Sequence, residues 1–325
     1  MPCYNVERYI TDCLDSIYTQ ALQEEEFEVI CVNDCSTDET RLIIEEYSGK
    51  HTNLTLINHE INSGGCGIPR NTGVKNAVGD YICFVDADDM LPQNVMKDFW
   101  HIAQEDNLDI LFYNYVALLE GKYIDDAIKY SDSDVLSGGV FVERCLHGNI
   151  GKIASAWSKL FKRSFLLQHS IWYTDLIMSE DSVFSWEAMI CANRVKSIHN
   201  TGYVFRVNDS SMTSGGKLMK PKIIYATSIL YPNALMTVMD RYGAAIPDVI
   251  RKGIVNEIKT EISGFFRKYL SRGEDDRREI YSMIRQNAAP VWKLRGFMNR
   301  KQKMTFLLRK MGYGIFDAFV KKLFA

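Results

Sequence analysis

The sequence has no apolar run approaching the roughly 18 uninterrupted residues that a membrane-crossing helix needs. Its opening residues, Met1-Pro2-Cys3-Tyr4-Asn5, show no basic region followed by an apolar stretch, so no secretory leader is expected. It has no C-x-x-C pair and no H-E-x-x-H, and its six histidines are scattered, which excludes the zinc sites those spacings build. Neither charge dominates: 38 Lys and Arg stand against 41 Asp and Glu, a formal net charge of -3, so nothing global points to nucleic acid. Internal repeats and low-complexity tracts are absent. With 46% hydrophobic and 24% charged residues, the chain has the balance of an ordinary globular protein. Eight cysteines remain, most of them inside apolar patterns where the thiol behaves as a small buried hydrophobe. They are read as reduced thiols of a cytoplasmic protein. At roughly 150 residues per domain, 325 residues suggest two domains.

The first hundred residues alternate strand and helix. Val6, Tyr9, Ile10, Cys13, Leu14 and Ile17 recur at helical spacing behind Asn5, a good N-cap. Phe27 to Val32 is a short apolar strand, and the turn Asn33 to Asp38 leads into a helix through Tyr47. Leu54 to His59 is a second strand. Pro69 fits the first turn of a helix ending near Gly79. Tyr81 to Val85 is a third strand, followed by a helix over Gln93 to Glu105 and a strand from Asp109 to Tyr115. This alternation predicts an α/β fold: an open, mostly parallel sheet with helices on both faces. Ligands in such sheets bind beyond the carboxyl ends of the strands. Three polar clusters fall there: Asn33-Asp34, the segment Asn62 to Arg70, and Asp86-Ala87-Asp88. A sheet of this kind opens with a strand, yet the chain starts in the turn before the first helix. The first strand is therefore expected to be missing, as if the start were truncated.

Beyond this, residues 116–137 read as an irregular hairpin or insertion, Phe141 to Leu146 as a short helix and Trp157 to Phe161 as a strand. Glu180-Asp181 opens a helix to about Ala192, where acids at a helix start suit the macrodipole. After Gly215-Gly216 the pattern is helical, with helices near 218–242, 248–271, 275–286 and 303–322. The expected domains are 1–215 and 216–325. From Val291 onward nine basic residues face one acid, Asp317, with aromatic and aliphatic residues between them. Such a stretch either lies on an anionic membrane surface or forms a bundle with a solvated basic face.

Asp86-Ala87-Asp88 carries the chemistry. Two carboxylates one residue apart at a strand end suit a hard divalent cation, which leaves room for water and a substrate diphosphate. Such a cation neutralises a departing phosphate. Arg70 is placed for bidentate contact with phosphate oxygens. Gly64, Gly65 and Gly67 do not complete G-x-G-x-x-G, because Arg70 fills its last position, so a nicotinamide cofactor is not expected.

In order along the chain stand Pro2-Cys3-Tyr4-Asn5-Val6-Glu7-Arg8-Tyr9, Val32-Asn33-Asp34-Cys35-Ser36-Thr37-Asp38, Asn62-Ser63-Gly64, Pro69-Arg70-Asn71-Thr72-Gly73, Gly79 through Asp89, and Glu180-Asp181-x-x-Phe184. Over roughly residues 1–210 this ordered set resembles the family 2 inverting glycosyltransferases of the GT-A fold, especially bacterial capsule and exopolysaccharide enzymes. The resemblance implies that Pro2 and Tyr4 line a nucleobase pocket and that Asp34 accepts a hydrogen bond from uracil. It places Arg70 near the base or diphosphate, Asp86 at the ribose and sugar, and Asp88 on Mg²⁺ or Mn²⁺. Asp181 matches the catalytic base, and Glu180 either replaces it or binds an acceptor hydroxyl. Arg206, in Phe205-Arg206-Val207-Asn208-Asp209-Ser210, closes over the diphosphate. The implied partners are a UDP-sugar donor and a glycan or lipid-linked glycan acceptor, at the cytoplasmic face of the inner membrane. Cys35 stands where the family usually has glycine, so either its backbone takes a conformation uncomfortable for a side chain or the turn differs. Two other readings stay open: a catalytically silent nucleotide- or glycan-binding module, and a sugar nucleotidyltransferase.

Overall fold

The computed structural model describes residues 1–124, 129–147, 153–208 and 220–324. Three strands form a parallel sheet in chain order: β1 (Pro2–Cys3), β2 (Val29–Asn33) and β3 (Leu54–Asn58). The expectation of a missing first strand is therefore corrected, because Pro2–Cys3 pairs with Val32 and Asn33. The stub is pinned along its length. Val32 N–H donates to the Met1 carbonyl at 2.9 Å, and Asp34 N–H to the Cys3 carbonyl at 2.8 Å. The Met1 amino nitrogen donates to the Ile30 carbonyl at 2.9 Å.

A second sheet holds β4 (Tyr81–Cys83), β5 (Ile110–Leu119), β6 (Lys122–Ile124), β7 (Lys159–Lys162) and β8 (Val195–Arg206). Here the single, mostly parallel sheet needs correcting. β7 runs antiparallel between β4 and β5, β6 returns from β5 as a hairpin, and β8 lies parallel to β5. The reason is local. Glu120 and Gly121 both adopt positive φ, which turns β5 back on itself, and a turn that short can only join antiparallel strands.

Helices pack where the apolar spacing predicts. In α1 (Ile10–Tyr18), Ile10, Cys13, Leu14 and Ile17 face the core. This helix starts later than expected. Asn5 is not its cap but sits at φ 51°, with its side-chain oxygen accepting the Thr37 N–H at 2.8 Å. α2 (Thr40–Lys50), α3 (Gly67–Asn76) and α4 (Met96–Glu105) complete the early alternation. α5 (Gly138–Leu146), α6 (Arg163–Gln168) and α7 (Glu180–Cys191) follow. Of the two alternatives for Cys35, the backbone takes the uncomfortable one, left-handed at φ 62°.

The chain divides into two compact units, Met1–Asp175 with Glu180–Asn208, and Leu176–Ser179 with Asp209–Ala325. The expected division at 215/216 lies outside the described residues. In the second unit a helix runs from α8 (Pro221–Tyr225) through one π-type turn at Ala226–Leu230 into α9 (Tyr231–Tyr242). Pro232 has no N–H to offer in this stretch, and Asn233 Nδ2 bonds the Ile229 carbonyl at 2.8 Å. α10 (Asp248–Leu270) lines the core with Ile250, Ile254, Ile258, Ile262 and Phe265. α11 (Glu274–Gln286) and α12 (Ala288–Lys293) follow. The helix expected over 303–322 is two, α13 (Arg300–Leu307) and α14 (Tyr313–Phe324), broken where Gly312 takes φ 97°.

β2 and β4 are not joined by a ladder, and a cavity of about 390 Å³ lies between them. Met1, Val29, Ile30, Tyr81, Cys83 and Val85 are among its walls. The Val32 and Asp34 amides point to β1, and strand alternation turns the Ile30 amide to the same side. The cavity thus offers an apolar lining and a free strand edge. A four-residue apolar, β-branched extension placed ahead of Met1 should fill it and raise stability by about 2–4 kcal/mol. Urea unfolding of the two forms checks this, and an unchanged midpoint would refute it.

Candidate active site

The polar clusters converge at the carboxyl ends of β2 and β4, as the alternation predicts. Asp34 follows β2, and its side chain is only 4% exposed. Its Oδ1 faces His59 Nδ1 at 2.8 Å, while Oδ2 accepts from Ser63 N–H at 2.9 Å and Ser63 Oγ at 2.8 Å. Asn62 Nδ2 bonds its carbonyl at 2.9 Å. Asp34 therefore organises the 59–63 loop, and these contacts occupy both of its carboxylate oxygens. Beside it Pro2 is buried and Tyr4 is half exposed. The Asn5 N–H donates to Ser36 Oγ at 3.1 Å, clasping the two turns together.

Arg70 sits at the centre, on α3 and 4% exposed. Its Nη1 reaches Glu180 Oε1 at 2.9 Å and Asp181 Oδ1 at 2.7 Å, and its Nη2 reaches Asp86 Oδ1 at 2.7 Å. Among the described residues its Nε has no partner. The Tyr173 ring lies 5.2 Å from the guanidinium. Neighbouring α3 residues set this geometry. Asn71 grips the Tyr173 backbone from both sides, accepting its N–H and donating to its carbonyl, each at 2.9 Å. Gly67 must be glycine, since a Cβ there would lie 2.3 Å from the Thr174 carbonyl oxygen. The structure thus commits Arg70 to carboxylates, whereas the sequence suggested phosphate.

Burial pulls the Arg70 pKa down, but Asp181 and Asp86 beside it outweigh that pull and hold the guanidinium above its ordinary value. Burial pushes Glu180 up to about 7, with the Asp181 charge adding to the shift. Asp181 is also raised, chiefly by burial, with Arg70 opposing. Ala156 N–H approaches Asp181 Oδ2 at 3.5 Å. Lys159 lies fully buried on β7, its Nζ bonded to the Ser155 carbonyl and 4.7 Å from the Phe112 ring centre. Burial pulls it down to about 7.

Asp86-Ala87-Asp88-Asp89 forms the turn after β4. Asp88 Oδ2 accepts from Asn208 Nδ2 at 3.0 Å. Burial raises its pKa, and the Asp86 charge raises it further. Among the described residues no three His, Cys, Asp or Glu side chains converge as a ready metal cage. Two crowded, oxygen-bearing acids with no described cation bonded to Asp88 nevertheless fit a hard divalent ion. Such ions bind through one or two carboxylates and keep their waters.

Asp89 and Tyr203 escaped sequence reasoning. Asp89 is 1% exposed, accepts the Tyr203 hydroxyl at 2.7 Å and the Arg206 N–H at 2.7 Å, and is pushed up to about 9 by burial and then by Asp86. The Tyr203 oxygen also accepts the Asp86 N–H at 3.0 Å. The fourth acid of the D-A-D-D run was the available signal. Arg206 Nη2 pairs with Asp12 at 2.8 Å, and its guanidinium lies 5.4 Å from the Tyr9 ring centre. The structure thus brings Arg70, Asp86, Glu180 and Asp181 into direct contact. It sets Asp88 and Arg206 at the adjoining turn and keeps Asp34 in a separate hydrogen-bonded cluster.

The family profile described as Glycosyl transferase family 2 matches residues 1–127. Residues 1–127 belong to glycosyltransferase family 2. It is 32% identical over 208 residues to a poly(ribitol-phosphate) beta-glucosyltransferase of Bacillus spizizenii, covering 64% of this chain and 31% of that one. It is 31% identical over 215 residues to the uncharacterized glycosyltransferase EpsJ of Bacillus subtilis, covering 66% of this chain and 61% of the relative. The crystal structure of S. aureus TarS 1–349 in complex with UDP-GlcNAc superposes with a TM-score of 0.68 at 22% identity, covering 98% of this chain and 88% of that one. That likeness bears out the GT-A-like α/β fold with a helical C-terminal region. The chain spans about a third of the length of the first poly(ribitol-phosphate) transferases it matches, 31% and 38%.

Within this site, removing the central cation leaves three carboxylates facing one another. Arg70→Met should cost about 3–5 kcal/mol of stability near pH 8. The sign with pH follows from the raised carboxylates. Each favours the folded state at low pH and loses that contribution as pH rises, for Glu180 through about 7. The deficit of Arg70→Met should therefore shrink near pH 5, and urea titrations at the two pH values measure it. An equal deficit at both would count against the three-acid account.

Proposed function

We propose that this chain is an inverting glycosyltransferase that moves a sugar from a UDP-sugar to a hydroxyl of a polymer acceptor, a glycan or lipid-linked oligosaccharide. The observation that carries the reading is the Arg70 clamp, which ties the acidic pair Glu180–Asp181 to Asp86 of the D-x-D turn. A base and a donor-binding acid are thereby held at one cation. Membership of residues 1–127 in family 2 and the fold likeness to TarS, solved with UDP and with UDP-GlcNAc, support it.

A sugar hydroxyl is a poor nucleophile, so a positioned carboxylate must take its proton as the bond forms. Asp181 takes that role. Arg70 holds one of its oxygens and partly offsets the upward push of burial on its pKa. Glu180 orients the acceptor. Asp86 faces the ribose and sugar, while Pro2 and Tyr4 wall the nucleobase beside the loop that Asp34 organises. Arg206 stands at the diphosphate end. Asp88, with Asp86, would hold Mg²⁺ or Mn²⁺, which when bound offsets the charge of the leaving diphosphate. One displacement inverts the anomeric centre, so an α-linked donor yields a β-glycoside. The cysteine usage favours the cytoplasmic side for the reaction.

Calorimetric titration of UDP with Mn²⁺, and again with chelator, tests the donor half. Binding should depend on metal, and Asp88→Asn should abolish that dependence. Metal-independent binding unchanged in Asp88→Asn would remove the cation assignment. Asp181→Asn should keep UDP binding while transfer falls about 10²–10⁴-fold. Intact transfer would remove the base assignment. The acid limb of the wild-type rate profile should lie above the ordinary carboxylate range, because Asp181 must be ionised to act.

A further inference from the structure

The last helices of the second unit carry a surface that sugar transfer does not use. From Ala288 to the end of the chain the one acidic residue is Asp317, and it is buried and consumed. Arg277 Nε bonds it at 2.8 Å, Lys321 Nζ at 2.7 Å and the Tyr269 hydroxyl at 3.1 Å. Of the nine basic residues in the same stretch, Arg309 is folded in, bonded to the Phe306 carbonyl at 2.8 Å. The other eight are exposed. Every exposed charge that this segment itself carries is therefore positive, in a chain whose total charge is -3. The nearest acids in sequence lie on α11: Glu279 is exposed, and Glu274, Asp275 and Asp276 sit in its first turn, where Glu274 pairs with Arg278 at 2.6 Å.

The same segment exposes apolar side chains. Trp292, Met304, Leu307, Met311 and Ile315 are 47–58% exposed, and within the described part of the second unit they are all of its exposed large hydrophobics. In α9 to α11 every large hydrophobic is buried or half-buried. Met304 and Leu307 share a face of α13, Met311 lies in the bend after the short turn Leu308–Lys310, and Lys301, Lys303 and Lys310 are exposed in the same stretch. The Arg295 guanidinium lies 4.9 Å from the Trp292 ring centre.

We infer that the α12–α14 face is a docking surface for an anionic phospholipid membrane, independent of the sugar-transfer reading. Charge complementarity selects an anionic partner, and the exposed Met, Leu and Ile side chains select a bilayer over a soluble polyanion. A phosphodiester polymer offers those aliphatic groups nothing, whereas the acyl boundary removes them from water. No described helix is long and apolar enough to cross a membrane, so the proposed contact is an interfacial one made by this face.

Flotation of the full chain with vesicles decides the matter, using phosphatidylcholine alone and phosphatidylcholine with roughly one-third phosphatidylglycerol. Binding is expected only to the anionic vesicles and should weaken at high salt. Replacing Lys301, Lys303 and Lys310 together by Gln should lower the affinity about a hundredfold, at roughly a factor of five per charge. Leu307→Ser with Met311→Ser, which leaves every charge in place, should lower it at least tenfold. All five residues are exposed, so circular dichroism should show both variants folded. Absence of vesicle binding by the wild type overturns the proposal, as does equal binding to neutral vesicles. Loss in the lysine variant with full binding in the serine variant also overturns it, and assigns the face to a soluble polyanion.

Discussion

One buried cation holds the site together. The Arg70 guanidinium binds acids that lie 16, 110 and 111 residues away in the chain, at the turn after β4 and at the start of α7. Three carboxylates around one positive charge leave the cluster net negative if all are ionised. Glu180, pushed up to about 7, shows how that excess is relieved: near neutral pH a proton on it offsets part of the charge. The surrounding chain serves this arrangement. Gly67 lets α3 approach the 173–174 backbone, Asn71 fixes that backbone, and Tyr173 packs against Phe84 and Phe184. A substitution at any of these positions would act on the acids through Arg70.

A second brace works by the opposite chemistry. Asp89 is held up to about 9, so near neutral pH it is protonated. It links the D-x-D turn to β8 through Tyr203 and the Arg206 amide. A charged group there would add a third like charge beside Asp86 and Asp88, and the neutral acid avoids that cost. The turn is thus fixed on one side by an ion cluster and on the other by a neutral hydrogen-bonded network.

What the sequence disclosed follows from how local each signal is. β2, β3, β4 and the first helices were legible because apolar runs and turn residues act over a few positions. The D-x-D turn was legible for the same reason. β8 was not. Its run Val195-Lys196-Ser197-Ile198-His199-Asn200-Thr201-Gly202 mixes polar residues into a strand that is irregular where it meets β5. Gly202 reads as a breaker, yet a Cβ there would strike the rings of Phe99 and Tyr113, so it is a packing requirement. Arg70 was singled out correctly, but its partners lie a hundred residues on, beyond any local pattern. The break in the last helical stretch rests on the backbone of Gly312, whereas the apolar spacing continues smoothly through it.

The two sheets of the first unit share no ladder, and that has a mechanical meaning. Asp34 rides on the parallel sheet, and Asp86, Asp88 and Asp89 ride on the mixed one. They are joined by a shared apolar core and by side-chain ties such as Arg206 to Asp12 and Cys13 Sγ to the Asp86 carbonyl, not by a ladder of backbone bonds. Side-chain ties are softer than a ladder and yield one at a time. The Asp34 cluster and the Asp86–Asp89 turn therefore form the jaws of a compliant seam, whose width tracks how well the space between β2 and β4 is filled.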